Sequence, residues 1–176
     1  MELKELTEKT CNIFGCEGVE MLGSELMKCA LENDESKYTA FCDLVQQDLN
    51  VDWLQKIYQY YQADRKVKMQ DYTPKCLGEL MGRLAGGADK VVDMCAGSGA
   101  LTIQKWNQNN DQKFEMFEMD ENVIPYLLFN LVLRNINALV HQSDVLQQEI
   151  FKTYRVYPGE KYGRVEVIKD GNCTYF

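Results

Sequence analysis

The first part of the chain, residues 1 to about 62, carries apolar side chains at three- and four-residue spacing. That spacing predicts a run of amphipathic helices. One helix is expected to end near Gly15, and polar residues suited to helix capping at 33–36 separate the next two. Asp52 is the predicted N-cap of a further helix over 53–61. Large side chains that repeat along this last helix predict core packing rather than a base-stacking platform, and they are Trp53, Ile57, Tyr60 and Tyr61.

Residues 72–146 alternate between helix-like and strand-like patterns. This alternation predicts a parallel sheet joined by right-handed helical crossovers. The segment from about 123 to 135 is apolar on nearly every side, so we expect a helix buried between layers or against a partner. Strand-like runs at 151–157 and 164–168 surround a Pro-Gly turn, which predicts a hairpin added to the edge of the sheet.

A polar stretch over 63–71 separates the two patterns and indicates a connector. We therefore expect an N-terminal helical region over residues 1–65 and a Rossmann-like α/β domain over residues 66–176. A chain of 176 residues, of which 45% are hydrophobic, is long enough to bury a substantial core in this arrangement.

The overall charge disfavours direct contact with a nucleic-acid backbone. The net charge is −8 and the pI is about 4.8, whereas lysine and arginine contacts to phosphate supply much of the affinity for DNA. The basic run at 65–68 is interpreted as a solvated connector rather than a DNA-binding patch.

Cysteine and histidine usage bounds the metal chemistry and the compartment. The seven cysteines form no C-x-x-C pair and the only histidine is His141, so we expect no metal site. The charged N-terminus does not resemble a signal peptide, and no run approaches the roughly 18–20 apolar residues that span a bilayer. These features predict a cytoplasmic protein with reduced thiols and no membrane partner.

The segment 91–100 is the most informative part of the chain, because a short apolar strand ends in Asp93 and continues through small residues toward a helix. Such a loop brings backbone close to a ligand at the carboxyl end of a strand, where open α/β sheets bind cofactors. Gly97 and Gly99 permit the sharp turn. The Asp93 carboxylate disfavours a pyrophosphate and favours a cation or a hydroxyl group. It also disfavours the thiolate of Cys95, which we interpret as a small packing residue.

Other ligand loops fit this segment less well. A P-loop requires Lys followed by Ser or Thr directly after its second glycine, and this chain has Ala100 and Leu101. A dinucleotide fingerprint requires a third glycine where this chain has Thr102. A tight strand-to-helix turn without a ligand remains the simpler alternative.

Two later strand-like runs also end in acids. The run 113–120 presents Glu118 about 20–25 residues after Asp93, the separation at which a second strand offers a carboxylate to a ribose diol. The following run ends at Asp144. Acids at three successive strand ends are expected to line one edge of the sheet. The combination favours a ligand with a diol, an amine and a positive centre, which describes S-adenosylmethionine.

From about residue 52 to 146 the chain resembles the S-adenosylmethionine-binding half of an adenine-N6 DNA methyltransferase, of the kind found as the modification subunit of type I restriction-modification systems. Similar segments occur in small methylase-like proteins of phages and mobile elements. The resemblance implies a truncated class I methyltransferase-type parallel sheet, preceded by a helical region and followed by a β-hairpin.

The resemblance assigns roles to two short motifs. Tyr72-Thr73-Pro74 resembles the family's Phe-Thr-Pro element, whose threonine reaches the methionine end of the cofactor. Residues 93–99 resemble the family's Asp-x-x-x-Gly-Ser-Gly loop, and the implied cofactor-binding residues within it are Asp93, Ala96, Gly97, Ser98 and Gly99.

Two strand ends complete the implied cofactor site. Glu118 corresponds to the acid that binds the ribose, and Asp144 to the acid that takes the adenine amine. Met119 and Val145 would then pack against the adenine ring.

One motif of these methylases is missing. They follow their fourth strand with Asn/Asp-Pro-Pro-Tyr/Phe, which holds the adenine amine and stacks the extruded base. The three prolines here are Pro74, Pro125 and Pro158, no two of them adjacent, and about 30 residues follow Leu146, too few for the rest of a seven-stranded sheet. No catalytic residue is therefore assigned.

The function stays open between several possibilities. One is methyl transfer from S-adenosylmethionine to DNA adenine, by this chain alone or with a partner subunit that contacts the DNA. Another is a catalytically inactive, cofactor-binding accessory or regulatory protein of a methylase or restriction-modification partner. A methyltransferase for a small molecule or a protein is a third.

Overall fold

The computed structural model describes residues 1–64, 66 and 73–168. Tyr72 and most of the expected connector lie outside the described residues. The described part holds seven α-helices, which are α1 (Leu3–Phe14), α2 (Leu22–Glu32), α3 (Glu35–Leu44), α4 (Trp53–Tyr61), α5 (Lys75–Leu84), α6 (Ala100–Trp106) and α7 (Ile124–Leu133). It holds five strands, which are β1 (Lys90–Asp93), β2 (Lys113–Glu118), β3 (Ala138–Asp144), β4 (Glu149–Tyr157) and β5 (Arg164–Ile168). None of the helices in this part of the chain combines the length and apolarity needed to cross a membrane.

The predicted helix boundaries at the N-terminal end are confirmed. Gly15 ends α1 with φ +74°, and Asn33 ends α2. Asp34 caps α3 by accepting a hydrogen bond from the backbone N–H of Lys37. Asp52 caps α4 in the same way, with the Gln55 N–H 2.9 Å from its Oδ1. These side chains satisfy backbone donors that have no partner inside the helix.

The expected core packing of the large side chains of α4 is right for Ile57 and wrong for Tyr60 and Tyr61, which are exposed, while Trp53 is half-buried against the core. Ile57 is fully buried, whereas 71% of Tyr60 is exposed. The buried residues of α4 are Leu54, Ile57 and Tyr58, one helical turn apart, which turns Tyr60 to the opposite side.

The five strands form one sheet in the order β1-β2-β3-β4-β5. β1, β2 and β3 are parallel, while β4 and β5 are antiparallel additions next to β3. The predicted C-terminal hairpin at the sheet edge is thus confirmed, and it makes the sheet mixed rather than wholly parallel. Among the described strands, β1 forms the other edge and pairs with β2 alone.

The helix predicted to be buried, α7, lies at the centre of the molecule. All ten of its residues are buried. The Phe129 ring meets the rings of Phe14, Tyr38 and Phe41 with centroids 5.2–5.6 Å apart. One apolar core therefore joins the N-terminal helices to the sheet.

Candidate functional site

The segment between β1 and α6 forms a tight glycine loop. Gly97 and Gly99 have φ +55° and +94°, in the left-handed region that residues with a Cβ rarely adopt. Gly99 also accepts the first helical hydrogen bond of α6, from the N–H of Ile103 at 2.8 Å. A Cβ at Gly99 would lie 3.0 Å from Cδ1 of Leu127. Both the backbone conformation and the packing therefore require glycine here.

The sheet register brings the three predicted acids together at the carboxyl ends of the parallel strands β1, β2 and β3. Asp93 pairs with Met116, two residues before Glu118. Gln142 pairs with Glu118, two residues before Asp144. Because side chains alternate along a strand, these two-residue steps place all three carboxylates on the same face of the sheet. Their roles toward a ligand stay predictions.

Glu118 joins the end of β2 to the glycine loop. Its Oε2 accepts a hydrogen bond from the Gly97 N–H at 2.8 Å, and its Oε1 accepts one from the Asp120 N–H at 2.8 Å. Ala96 strengthens the same connection, because its N–H donates to the Phe117 carbonyl at 2.9 Å. The loop and the acid predicted to bind ribose are thus held together by the protein itself.

The carboxylates of Asp93 and Glu118, at the ends of β1 and β2, are both partly removed from solvent. Burial raises the pKa of Asp93, and hydrogen bonds from the Cys95 N–H and the Thr102 hydroxyl offset this only in part. Burial also raises the pKa of Glu118, where backbone donors again oppose the shift. A cation or a group of hydroxyl donors would relieve this penalty, because either stabilises the ionised carboxylates.

Cys95 matches its sequence interpretation in one respect only. Burial, followed by the charges of Glu118 and Asp93, raises the pKa of its thiol, so the expected disfavoured thiolate is confirmed in direction. The side chain is exposed, however, so its interpretation as a packing residue is wrong.

A cavity of about 330 Å³ opens beside the start of α6. It is lined by Thr73 and Pro74, which precede α5, together with Ala100 and Asp52. The described part of the predicted Tyr-Thr-Pro element and the residue that follows the glycine loop thus line the same cavity.

The remaining predicted site residues lie at or directly after the ends of β3 and β2. Asp144 uses Oδ1 to accept hydrogen bonds from the N–H groups of Leu146 and Gln147, both at 3.0 Å, which shapes the turn after β3. Met119 is 63% exposed directly after Glu118. Val145 is half-buried.

Ser98 is tied into the protein interior through a buried polar network. Its hydroxyl donates to Oδ2 of Asp52 at 2.6 Å. Asn130 on α7 donates from Nδ2 to Oδ1 of Asp52 and to the Ser98 carbonyl, each at 2.9 Å. Burial raises the pKa of Asp52, which these hydrogen bonds partly oppose.

Arg134 completes this network. Its Nη1 donates to the carbonyl and side-chain oxygens of Asn130 at 2.9 and 3.0 Å, and its Nε and Nη2 donate to the carbonyls of Leu49 and Val51. Burial lowers the pKa of Arg134 to about 10.

Sequence reasoning found Asp52 only as a helix cap and missed Asn130 and Arg134. A signal for both existed: two polar residues one turn apart inside or at the end of an otherwise apolar helix must find buried partners. In the described part of the chain, no group of three or more His, Cys, Asp or Glu side chains is arranged to hold a metal ion.

The chain is an α/β protein whose glycine loop joins β1 to α6, next to the acids that end the parallel strands. Folds of this class use such a strand–loop–helix arrangement to bind ligands. A family model for N-6 DNA methylases matches residues 46–167, well over half of the chain. The chain therefore belongs to the N-6 DNA methylase family, and the resemblance inferred from its motifs is confirmed. The match starts before Asp52 and ends within β5. No curated protein and no solved structure matches the chain significantly.

Proposed function

We propose that this chain binds S-adenosylmethionine at the glycine loop and contributes the cofactor half of a DNA adenine methyltransferase. The observation that carries the proposal is the hydrogen bond from Gly97 to Glu118, within a chain of the N-6 DNA methylase family. It holds the glycine loop against Glu118, the carboxylate that we propose binds the ribose.

The donor set fits this cofactor. Each Glu118 oxygen already accepts one backbone N–H, and a carboxylate oxygen has a second acceptor site that a ribose hydroxyl can use. Asp93 and Glu118 supply negative charge close to the loop, which suits a sulfonium and an ammonium group. Thr73 and Pro74 would face the methionine end from the cavity beside α6. Met119, which is exposed directly after β2, would cover the adenine ring.

When bound, S-adenosylmethionine supplies a methyl group on a positively charged sulfur. The contribution of this chain is positioning, because an attack of an amine on that methyl group depends on the alignment of the reacting atoms. The Asp52–Ser98–Asn130 network fixes the loop, and Glu118 fixes the loop relative to β2. No residue of this chain is proposed to hold the adenine amine, so a partner subunit would supply that group and the DNA surface.

A specific observation also favours the accessory-protein alternative. The Asn/Asp-Pro-Pro-Tyr/Phe motif is missing from the sequence, and the net charge is −8. A protein with this sequence retains the loop that holds the cofactor but lacks the motif that holds the base. In this alternative the cofactor acts as a structural ligand that favours the form recognised by a methylase or restriction-modification partner.

Calorimetry with S-adenosylmethionine tests whether the chain binds this cofactor, which both candidate functions require. We expect saturable binding to the full chain and a loss of about tenfold or more in affinity for Glu118→Gln, because a hydrogen bond to a charged group contributes roughly 1.5–3 kcal/mol. Glu166→Gln is the matched control, since Glu166 is an exposed carboxylate on β5, at the far edge of the sheet. Equal affinities for the two variants, or tighter binding of a phosphate-bearing nucleotide, would contradict the proposed site.

Transfer of a labelled methyl group to DNA separates the two functions. Methylated adenine formed by the purified chain alone would establish an enzyme and remove the need for a partner. Cofactor binding without transfer would favour a split enzyme or an accessory protein. Addition of a neighbouring gene product that carries the missing motif then distinguishes these two, because only a split enzyme gains activity.

A further inference from the structure

Helix α4 carries two neighbouring tyrosines that face solvent. Tyr60 is 71% exposed and Tyr61 is 40% exposed, and their ring centroids lie 4.8 Å apart in an edge-to-face pair. The other side of the helix, with Leu54 and Ile57, is buried in the core. The core formed by the described residues therefore does not use the ring of Tyr60.

An open groove of about 830 Å³ lies beside Tyr60. Lys56 and Tyr60 both line it, and because they are four residues apart they face the same side of α4. Lys66, which follows the helix, lines the groove as well. An exposed aromatic ring and two lysines thus meet at one concave surface.

This groove adjoins the cavity of about 330 Å³ at the start of α6. Lys56 and Gln59 line both of them. The second cavity is also lined by Thr73 and by Ala100, the residue after the glycine loop. Since Thr73 is proposed to face the methionine end of the cofactor, the groove leads to the side from which a methyl acceptor would approach.

The groove is locally basic in an acidic chain. Its described charged residues are Lys56, Lys66 and Asp64, and the Asp64 carboxylate accepts the Lys66 N–H at 3.1 Å. The Lys56 ammonium lies 4.0 Å from the centroid of the Trp53 ring, a contact that holds this cation in place. The net charge of −8, which disfavours contact with nucleic acid for the chain as a whole, does not describe this surface.

The adjoining cavity adds little to this positive charge. Lys75 lines it and lies 3.8 Å from Glu79. Asp52 also lines it, but this carboxylate is 5% exposed and accepts hydrogen bonds from Ser98 and Asn130. The cations therefore act at the end of the groove where Tyr60 lies.

We propose, building on the proposed cofactor site, that this groove binds an unpaired nucleic-acid strand next to the methyl acceptor. The ring of Tyr60 stacks on a base that has left its duplex, and Lys56 and Lys66 contact the phosphates beside it. Proteins bind single strands with this combination, because every base has a face that can stack and every linkage carries a charge. The groove adds to the DNA surface that a partner subunit would supply.

The shape and chemistry of the groove favour an unpaired strand over other anionic partners. A paired duplex keeps its base faces stacked inside and offers none to Tyr60. An acidic peptide would use the lysines and leave the ring uncovered. A folded apolar surface fits poorly, because Leu3 and Ala63 are the only aliphatic residues among the described lining of the groove.

Fluorescence anisotropy with a labelled, mixed-sequence single-stranded DNA of about 12 nucleotides tests the groove. We expect the full chain to bind it with a Kd of roughly 1–100 μM at low salt. Tyr60→Ala should lower the affinity by about fivefold or more, the effect of losing one stacked base, whereas Tyr60→Phe keeps the ring and should bind like the wild type. Lys56→Gln should weaken binding and reduce the slope of log K against log salt by about 0.7, because one phosphate contact is lost.

Two variants on β4 serve as matched controls. Tyr157 is a tyrosine that is 42% exposed, and the ammonium of Lys152 also lies over a ring, 5.1 Å from the centroid of Tyr154. Tyr157→Ala and Lys152→Gln should both bind the strand like the wild type. The proposal is overturned if the wild type shows no saturable binding, or if Tyr60→Ala binds as tightly as Tyr157→Ala. It is equally overturned if the fully paired duplex, or polyglutamate as a competitor, binds as tightly as the single strand.

Calorimetry with S-adenosylmethionine distinguishes a failure of the groove from a failure of the cofactor site. Tyr60→Ala should keep the wild-type affinity for the cofactor, since Tyr60 does not line the cavity at Thr73. A chain that binds S-adenosylmethionine but not the single strand would overturn the groove alone. A chain that binds the strand through Tyr60 but not S-adenosylmethionine would support the groove and overturn the cofactor site.

Discussion

The hydroxyl of Ser98 donates a hydrogen bond of 2.6 Å to Oδ2 of Asp52, across 46 positions of the chain. The same carboxylate caps α4 through Oδ1. One buried side chain thus determines where a helix begins in the N-terminal region and where the glycine loop lies above the sheet. The geometry of the candidate cofactor site consequently depends on residues well outside its own loop.

Replacement of Asp52 is predicted to destabilise the fold strongly. Asp52→Ala removes a helix cap and leaves Ser98 and Asn130 with buried, unsatisfied polar atoms, so we expect a loss of roughly 3 kcal/mol in the free energy of unfolding. Urea denaturation measures this. Asp34→Ala is the matched control, because Asp34 caps α3 in a more exposed position, and it should cost only about 1 kcal/mol. Equal losses for both variants would show that the network adds nothing to the cap.

Gly99 is predicted to be intolerant of a side chain. Gly99→Ala combines a left-handed backbone with a contact to Leu127, and we expect a loss of roughly 2–3 kcal/mol in stability. Gly15→Ala provides the comparison, since Gly15 also has a positive φ but nothing lies within 4 Å of the added Cβ. That variant should lose about 1–2 kcal/mol. If thermal or urea unfolding shows that Gly99→Ala loses no more stability than Gly15→Ala, the contact with Leu127 on α7 does not constrain the loop.

Affinity for S-adenosylmethionine is predicted to fall as the pH is lowered. Burial raises the pKa of Asp93 and Glu118 above their ordinary values of 3.8 and 4.5. As the pH falls toward these raised values, both groups take up protons and lose the negative charge that attracts the sulfonium. Calorimetry at a series of pH values from neutral downward measures the effect.

S-adenosylhomocysteine, the product that remains after methyl transfer and that lacks the sulfonium charge, is the control for this pH dependence. Its thioether lacks the positive charge, so its affinity should vary less with pH than that of S-adenosylmethionine. Glu118→Gln should also flatten the profile. Parallel profiles for the two compounds would argue that the carboxylates do not interact with the sulfonium.

His141 is predicted to make the fold less stable in mild acid. The ring is fully buried, with Nδ1 3.0 Å from the Thr153 hydroxyl and Nε2 3.4 Å from Oε1 of Glu115, which also forms an ion pair with Lys90. Burial lowers the pKa of His141 below its ordinary 6.5, although Glu115 acts in the opposite direction. The unfolded chain therefore takes up this proton first as the pH falls. Stability is lost below about pH 6.5, by at most about 1.4 kcal/mol per pH unit.

Comparison with His141→Gln isolates this contribution. Other buried carboxyls, such as Asp52 and Glu118, have raised pKa values and act in the opposite direction, since they favour the folded state as the pH falls. The difference in unfolding free energy between wild type and variant removes their common effect. A difference that stays constant between neutral pH and mild acid would contradict a buried, neutral His141.

The sequence by itself determined the local elements and the order in which they occur. The helix caps at Asp34 and Asp52, the buried α7 and the hairpin over β4 and β5 all follow from patterns that span a few residues. The glycine loop and the family were accessible for the same reason, because Asp93, Gly97 and Gly99 act through close neighbours in the chain. Local sterics and hydrogen bonding decide such features before the chain is folded.

Only the tertiary structure decided which distant residues meet. The contacts of Asp52 with Ser98 and Asn130, and the bond from Gly97 to Glu118, join residues that no periodicity relates. The outward direction of the large apolar residues of α5, which are Leu77, Leu80, Met81 and Leu84, is also a tertiary property. Their spacing is that of a core-facing helix, and only the packing of Gly78 and Gly82 against α6 and the residues after it turns these side chains to solvent. An apolar pattern specifies that a face needs a partner, whereas the fold determines whether that partner is in the same chain.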